Sequence, residues 1–129
     1  MTVSEVIQVC TDGSPLSDKA VQEAIAMAQK MQLPLVAVTV VSGKTSEQDA
    51  VRARLTAIAQ KAKEAGVPCE LVAEQARAPY EGIIAVARRK HARLIVMASR
   101  GLGSIESVFL GSETQKVLAS ADRPVLVVR

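Results

Sequence analysis

Apolar residues along this chain fall into short unbroken runs that alternate with stripes at helical spacing. Val6 to Cys10 is a β-branched run that ends in Thr11-Asp12-Gly13-Ser14-Pro15, a dense turn signal. Ser17 is placed to cap the helix that follows, where Val21, Ala24, Ile25 and Ala28 share a face. Leu33-Pro34 breaks that helix, and Leu35 to Val41 is nearly all apolar, as expected of a strand covered on both faces. Ser42-Gly43 turns the chain into a second helix striped by Val51, Leu55, Ile58 and Ala62, which Gly66 ends. Val67 to Glu74 reads as a third strand. Pro79 opens a third helix whose Ile83, Val86 and Ala87 can face inward. Leu94 to Ala98 is a fourth strand, Ser99 to about Leu110 a Gly/Ser-rich loop, Ser112 to Ala121 a fourth helix and Pro124 to Val128 a fifth strand.

Strands alternating with helices call for right-handed crossovers and a parallel sheet with helices on both faces. The predicted fold is therefore α/β, a three-layer open sheet of five parallel strands in the order 3-2-1-4-5. We expect one domain over residues 1–129, without internal repeats or linkers. Hydrophobic residues make up 49% of the chain, so a core can form without metal or disulfide staples. Aromatics are 2%, which leaves that core to Val, Ile, Leu, Ala and Met.

Charge narrows the function classes. Sixteen basic and thirteen acidic residues give a formal net charge of +3, with no aromatics between the basic positions to stack bases. We expect no nucleic-acid partner. The densest group, Arg88, Arg89, Lys90, His91 and Arg93, reads as the solvated end of a helix, with an anion or partner patch as the alternative. Cys10 and Cys69 lack metal or redox spacing. No opening stretch resembles a signal peptide, and Leu33 to Val41 is too short to cross a bilayer. The expectation is a cytoplasmic protein without membrane insertion.

In open α/β sheets, ligands sit beyond the carboxyl ends of the strands where strand order reverses. Cys10 to Ser14, Val40 to Gly43 and Ala98 to Ser112 all end there. Gly101 and Gly103 follow a buried strand, and Gly111-Ser112 opens a helix. A helix N-terminus offers unpaired amides and partial positive charge to an anion, and glycines let backbone approach a phosphate closely. The competing reading is that the glycines only turn the chain and Ser112 only caps the helix. A dinucleotide fingerprint fails because Glu106 stands where its third glycine belongs. There is no P-loop, the third strand ends without the acceptor Asp of a receiver domain, and the single histidine, His91, has no triad partners.

The stretch from Leu94 to Arg129, with Gly101, nine residues, then Gly111-Ser112, resembles the C-terminal third of universal stress proteins. Asp12-Gly13-Ser14 after the first strand, Pro79 with Ile83, and Ala92-x-Leu-Ile-Val-Met extend the resemblance over the whole chain. It implies that Cys10, Thr11, Asp12 and Val40 hold adenine and ribose. Ala98, Ser99, Arg100, Gly101, Leu102, Gly103 and Ser104 would wrap the ribose and first phosphates. Gly111, Ser112, Glu113 and Thr114 would hold the outer phosphates of ATP, with Mg²⁺ accompanying the nucleotide. The chain departs from the family pattern in three places: Ala98 replaces the motif's first glycine, Arg77 a glycine before Pro79, and Glu113 a small or β-branched neutral residue. If position 98 needs a positive φ, alanine costs about 1–2 kcal/mol there; if it needs clearance, the methyl narrows the pocket. Glu113 suits the helix dipole but repels a γ-phosphate unless turned outward.

Three functions follow from these readings. The first is a nucleotide-responsive regulatory module in which ATP biases loop 99–111 and an unidentified protein partner reads the result. The others are an interaction module that binds no nucleotide, and a slow ATPase. The last strand, Pro-Val-Leu-Val-Val, carries no charge until Arg129. As a flat apolar edge it invites self-pairing, so a homodimer through residues 124–128 is expected.

Overall fold

The computed structural model describes residues 4–101 and 110–129. Five strands, β1 (Val6–Cys10), β2 (Leu35–Val41), β3 (Cys69–Gln75), β4 (Ala92–Ala98) and β5 (Val125–Val128), form one sheet in the order β3-β2-β1-β4-β5. Every pairing is parallel, with Ile7 opposite Leu35, Leu35 opposite Cys69, and Ile95 opposite Val125. The expected fold class and strand order are both observed.

Among the described residues four α-helices connect the strands: α1 (Pro15–Met31), α2 (Gln48–Glu64), α3 (Pro79–Lys90) and α4 (Ser112–Ser120). On one face α1 and α2 cover Ile7, Val9, Leu35, Ala37, Val96 and Val128 with Val21, Ala24, Ala28, Leu55 and Ile58. On the other, α3 and α4 cover Cys10, Ile95 and Met97 with Ile83, Ile84, Ala87 and Val117. The alternation of side chains along each strand sends odd and even positions of β1 to different helix layers. Between those layers Gln8, fully buried, donates its side-chain amide to the Ile83 carbonyl and so ties α3 to β1 (2.9 Å).

Element ends differ from the sequence expectation in a few places. Ser14, not Ser17, is the N-cap of α1: its hydroxyl accepts from the Ser17 amide (3.2 Å), and Pro15 takes the first helical position. The third strand starts at Cys69, because Val67 still belongs to the end of α2, its amide bonded to the Ala62 carbonyl. The fourth begins two residues early, at Ala92, which pairs with Val6 across a register shift. The basic cluster at the end of α3 is held by carboxylates. Arg89 makes a two-pronged pair with Glu74 (2.9 and 3.2 Å), Lys90 reaches Glu70 (2.7 Å), Arg93 Glu5 (3.6 Å) and Arg88 Asp122 (3.8 Å). Two of these partners lie on β3, so the cluster fastens α3 to the edge of the sheet. No helix among the described residues is long and apolar enough to cross a membrane.

Candidate functional site

Strand order reverses between β1 and β4, so the connections leaving their carboxyl ends diverge to opposite sides and open a crevice. A cavity of about 470 Å³ lies there. It is lined from β1 and its exit by Cys10, Thr11 and Asp12, and from β2 by Val40. Ala98, Arg100 and Gly101 line it from β4 and its exit, and Gly111, Ser112, Glu113 and Thr114 from the start of α4. Of the expected site residues that are described, Ser99 alone is not among the lining residues. Its amide donates to the Val128 carbonyl (2.8 Å) and its carbonyl accepts from the Gly111 amide (2.7 Å). Leu102, Gly103 and Ser104 lie outside the described residues.

Each wall has a local cause. Beyond β1 the Asp12 carboxylate accepts from the Ser14 amide (2.9 Å), and Gly13 adopts φ +85°, a turn that glycine adopts without strain. Thr11, Ser14 and Ser17 share a buried hydroxyl network: Thr11 and Ser17 hydroxyls are 3.1 Å apart, and Ser17 donates to the Ser14 carbonyl (2.8 Å). Burial pushes the Cys10 thiol up to about 12, the Gln8 side chain working weakly the other way, so the sulfur faces the cavity as a neutral thiol.

Beyond β2 the Glu47 carboxylate gathers the amides of Ser42, Gly43 and Lys44 (2.9, 2.8 and 3.0 Å) and the Ser42 hydroxyl (2.8 Å). Those bonds, the hydroxyl's first, hold it below the usual carboxylate range. Val40 is set from behind by Gly82 of α3, where an added Cβ would come within 2.8 Å of the valine's Cγ2.

Beyond β4, Ala98 has no positive φ, so its methyl narrows the cavity without backbone strain. Its carbonyl accepts from the Thr114 hydroxyl (2.9 Å), which fastens α4 to β4. Gly101 sits against Asp12, whose carboxylate occupies the space a Cβ would need. Gly111, the N-cap of α4, lies against Arg100, where an added Cβ would stand 3.1 Å from the arginine's Cα. The N-cap of α4 is Gly111, which has no side chain to cap it, and the first-turn amides at the cavity end lack an intrahelical partner.

Ser17, Val38, Thr39, Arg54, Pro79, Ile83 and Met97 line the cavity beyond the expected set, and Arg54 alone of them adds a charge. Arg54 reaches across from α2, donates to the Thr39 hydroxyl (2.9 Å) and packs over Gly13. Glu113 is turned toward α3, its Oε1 accepting from the Tyr80 amide (3.1 Å), while Oε2 lies 3.2 Å from Lys116 Nζ. Two carboxylates, Asp12 and Glu113, and two guanidinium groups, Arg54 and Arg100, thus border one crevice.

The universal stress protein family model matches residues 4–129. The chain belongs to the universal stress protein family. A universal stress protein of Thermus aquaticus is 36% identical over 135 residues, covering 97% of this chain and 98% of that one. Among solved structures, a universal stress protein in complex with cAMP superposes with a TM-score of 0.81 at 28% identity, covering 99% of this chain and 98% of that one. One from Archaeoglobus fulgidus in complex with dAMP gives 0.84 at 19% identity, covering 99% and 100%, a likeness of fold.

The Mg²⁺ expected with a nucleotide finds no resident cage. Among the described residues no group of three or more His, Cys, Asp or Glu is arranged to hold a metal ion. Asp12 and Glu113, the lining carboxylates, each already accept a backbone amide. Among the described residues, then, no cage of protein ligands alone is formed for a cation.

Proposed function

We propose that this universal stress protein binds an adenine nucleotide in the crevice between the ends of β1, β2 and β4 and the start of α4. The observation that carries the reading is the convergence of Asp12, Val40, Gly101 and the glycine-led N-terminus of α4 on one cavity at the switch point. Val40 and the apolar Ile83 and Met97 offer a surface for a purine. Amides at a helix start suit a phosphate, worth about 0.3–2 kcal/mol. The relative solved with cAMP supports adenine as the base. ATP is the ligand that the family resemblance implies, and any Mg²⁺ would arrive on its phosphates.

The module acts as a switch and not as an efficient enzyme. Hydrolysis needs a base or a positioned water at the γ-phosphate, and both lining carboxylates are engaged with backbone amides. Occupancy would instead bias the segment between Ser99 and Gly111 for a protein partner to read. The assembly we propose is a homodimer through residues 124–128. β5 lies at the sheet edge, pairs with β4 alone, and leaves Val125, Leu126 and Val127 partly exposed. Thermal unfolding with added nucleotide tests the binding. At about 100 times Kd a ligand adds roughly 2.7 kcal/mol, which raises Tm by about 5–15 °C for a domain of this size. No shift with millimolar AMP or Mg-ATP would overturn the proposal.

A further inference from the structure

We infer that Glu113 ranks the adenine nucleotides for this cavity, favouring the monophosphate over the triphosphate. The inference rests on the nucleotide reading above. Glu113 is the second residue of α4 and lines the cavity. Its side chain is 32% exposed, and both carboxylate oxygens have partners. Oε1 accepts from the amide of Tyr80, the second residue of α3, and Oε2 lies 3.2 Å from Lys116 Nζ. The α3 N-cap, Ala78, has no side chain able to cap its own helix, so Glu113 serves that role from the neighbouring one. Two helix N-termini therefore meet at one end of the cavity, and the charge they attract is already supplied by a carboxylate of the protein.

A base seated at Val40 and a ribose near Asp12 leave the phosphates to run toward α4. The first can use the amides of the α4 start. Each further phosphate extends the anion toward the Glu113 carboxylate, where like charges oppose each other and the α3 amide is taken. Lys116 offsets the charge in part only. Its side chain is 53% exposed, its ammonium is shared with the Tyr80 ring at 5.6 Å, and water screens it.

Calorimetric titration with AMP and with ATP, both in EDTA, on wild type, Glu113→Gln and Lys116→Gln tests this. Glutamine keeps the acceptor for the Tyr80 amide and removes the charge, so the fold is retained, which Tm verifies. Wild type is expected to bind AMP more tightly than ATP. Glu113→Gln should raise ATP affinity about tenfold, the equivalent of 1.4 kcal/mol of relieved repulsion, and AMP affinity by a smaller factor. Lys116→Gln should widen the wild-type preference. If both nucleotides bind and neither variant changes their ratio, Glu113 does not rank them, and the nucleotide site itself stands. If no nucleotide binds to any of the three proteins, the site reading falls and this inference with it.

Discussion

Gly111→Val probes the join between β4 and α4. The Gly111 amide donates to the Ser99 carbonyl at 2.7 Å, which fixes how close the two backbones lie. A Cβ at position 111 would stand 3.1 Å from Arg100 Cα and 3.4 Å from the Ser99 oxygen. Backbone must therefore give by a few tenths of an ångström, and valine adds two methyls beyond that. The segment cannot yield freely, because the Ser99 amide is bonded to Val128 of β5 and the Ala98 carbonyl to Thr114 of α4. Overpacking of this kind costs about 1–3 kcal/mol, a fall in Tm of roughly 3–15 °C for a domain of this length. Displacing α4 also weakens a phosphate held at its N-terminus, by roughly 2- to 30-fold for about 0.3–2 kcal/mol. Scanning calorimetry reads the first effect and titration with AMP the second; Gly111→Ala should show a smaller version of both. A valine variant that melts with wild type and binds AMP equally would refute this account of the join.

Other outcomes follow from the same geometry. Arg54→Gln should lower AMP affinity about tenfold, as expected for loss of a charge-assisted contact, whereas unchanged affinity would remove Arg54 from the site. The Cys10 thiol should resist Ellman's reagent at pH 8 in the native protein and react once the chain is unfolded. Its folded value of about 12 exceeds the ordinary 9.0. The thiol is therefore neutral in both states below 9, and its contribution to stability is lost as pH rises above 9, where the unfolded thiol ionises first. Urea titrations from pH 8 to 10 should show a shallower decline for Cys10→Ala; an identical slope would contradict the shift. Val127→Lys should convert a sedimenting dimer to a monomer, and a variant that stays dimeric would place the interface elsewhere.

The largely apolar runs of β1, β2 and β4 made the sheet legible, because strands buried on both faces show no regular polar period to misread. The α1 cap was expected at Ser17 and lies three residues earlier, at Ser14. Pro15 decides it, since proline favours the first helical position and points to Ser14. Gly82 could have been suspected, as an isolated glycine inside a helix needs a packing reason, here Val40. The glycines of the candidate site were visible but their local reasons were not. Gly101 makes room for Asp12 and Gly111 for the Arg100 backbone, contacts made between segments far apart in sequence. Arg54 carried no signal, because its reach to Thr39 depends on where α2 lies over β2. Glu113 stood out as a departure, while its direction came only with the packing of α4 beside α3.

The most direct test of the nucleotide site is the mapping of amide chemical shifts during an AMP titration. The account predicts perturbations concentrated at Asp12, Val40, Gly101 and Gly111 to Thr114, saturating together with one Kd. Perturbations centred away from the carboxyl ends of β1, β2 and β4, or none at millimolar AMP, would contradict it.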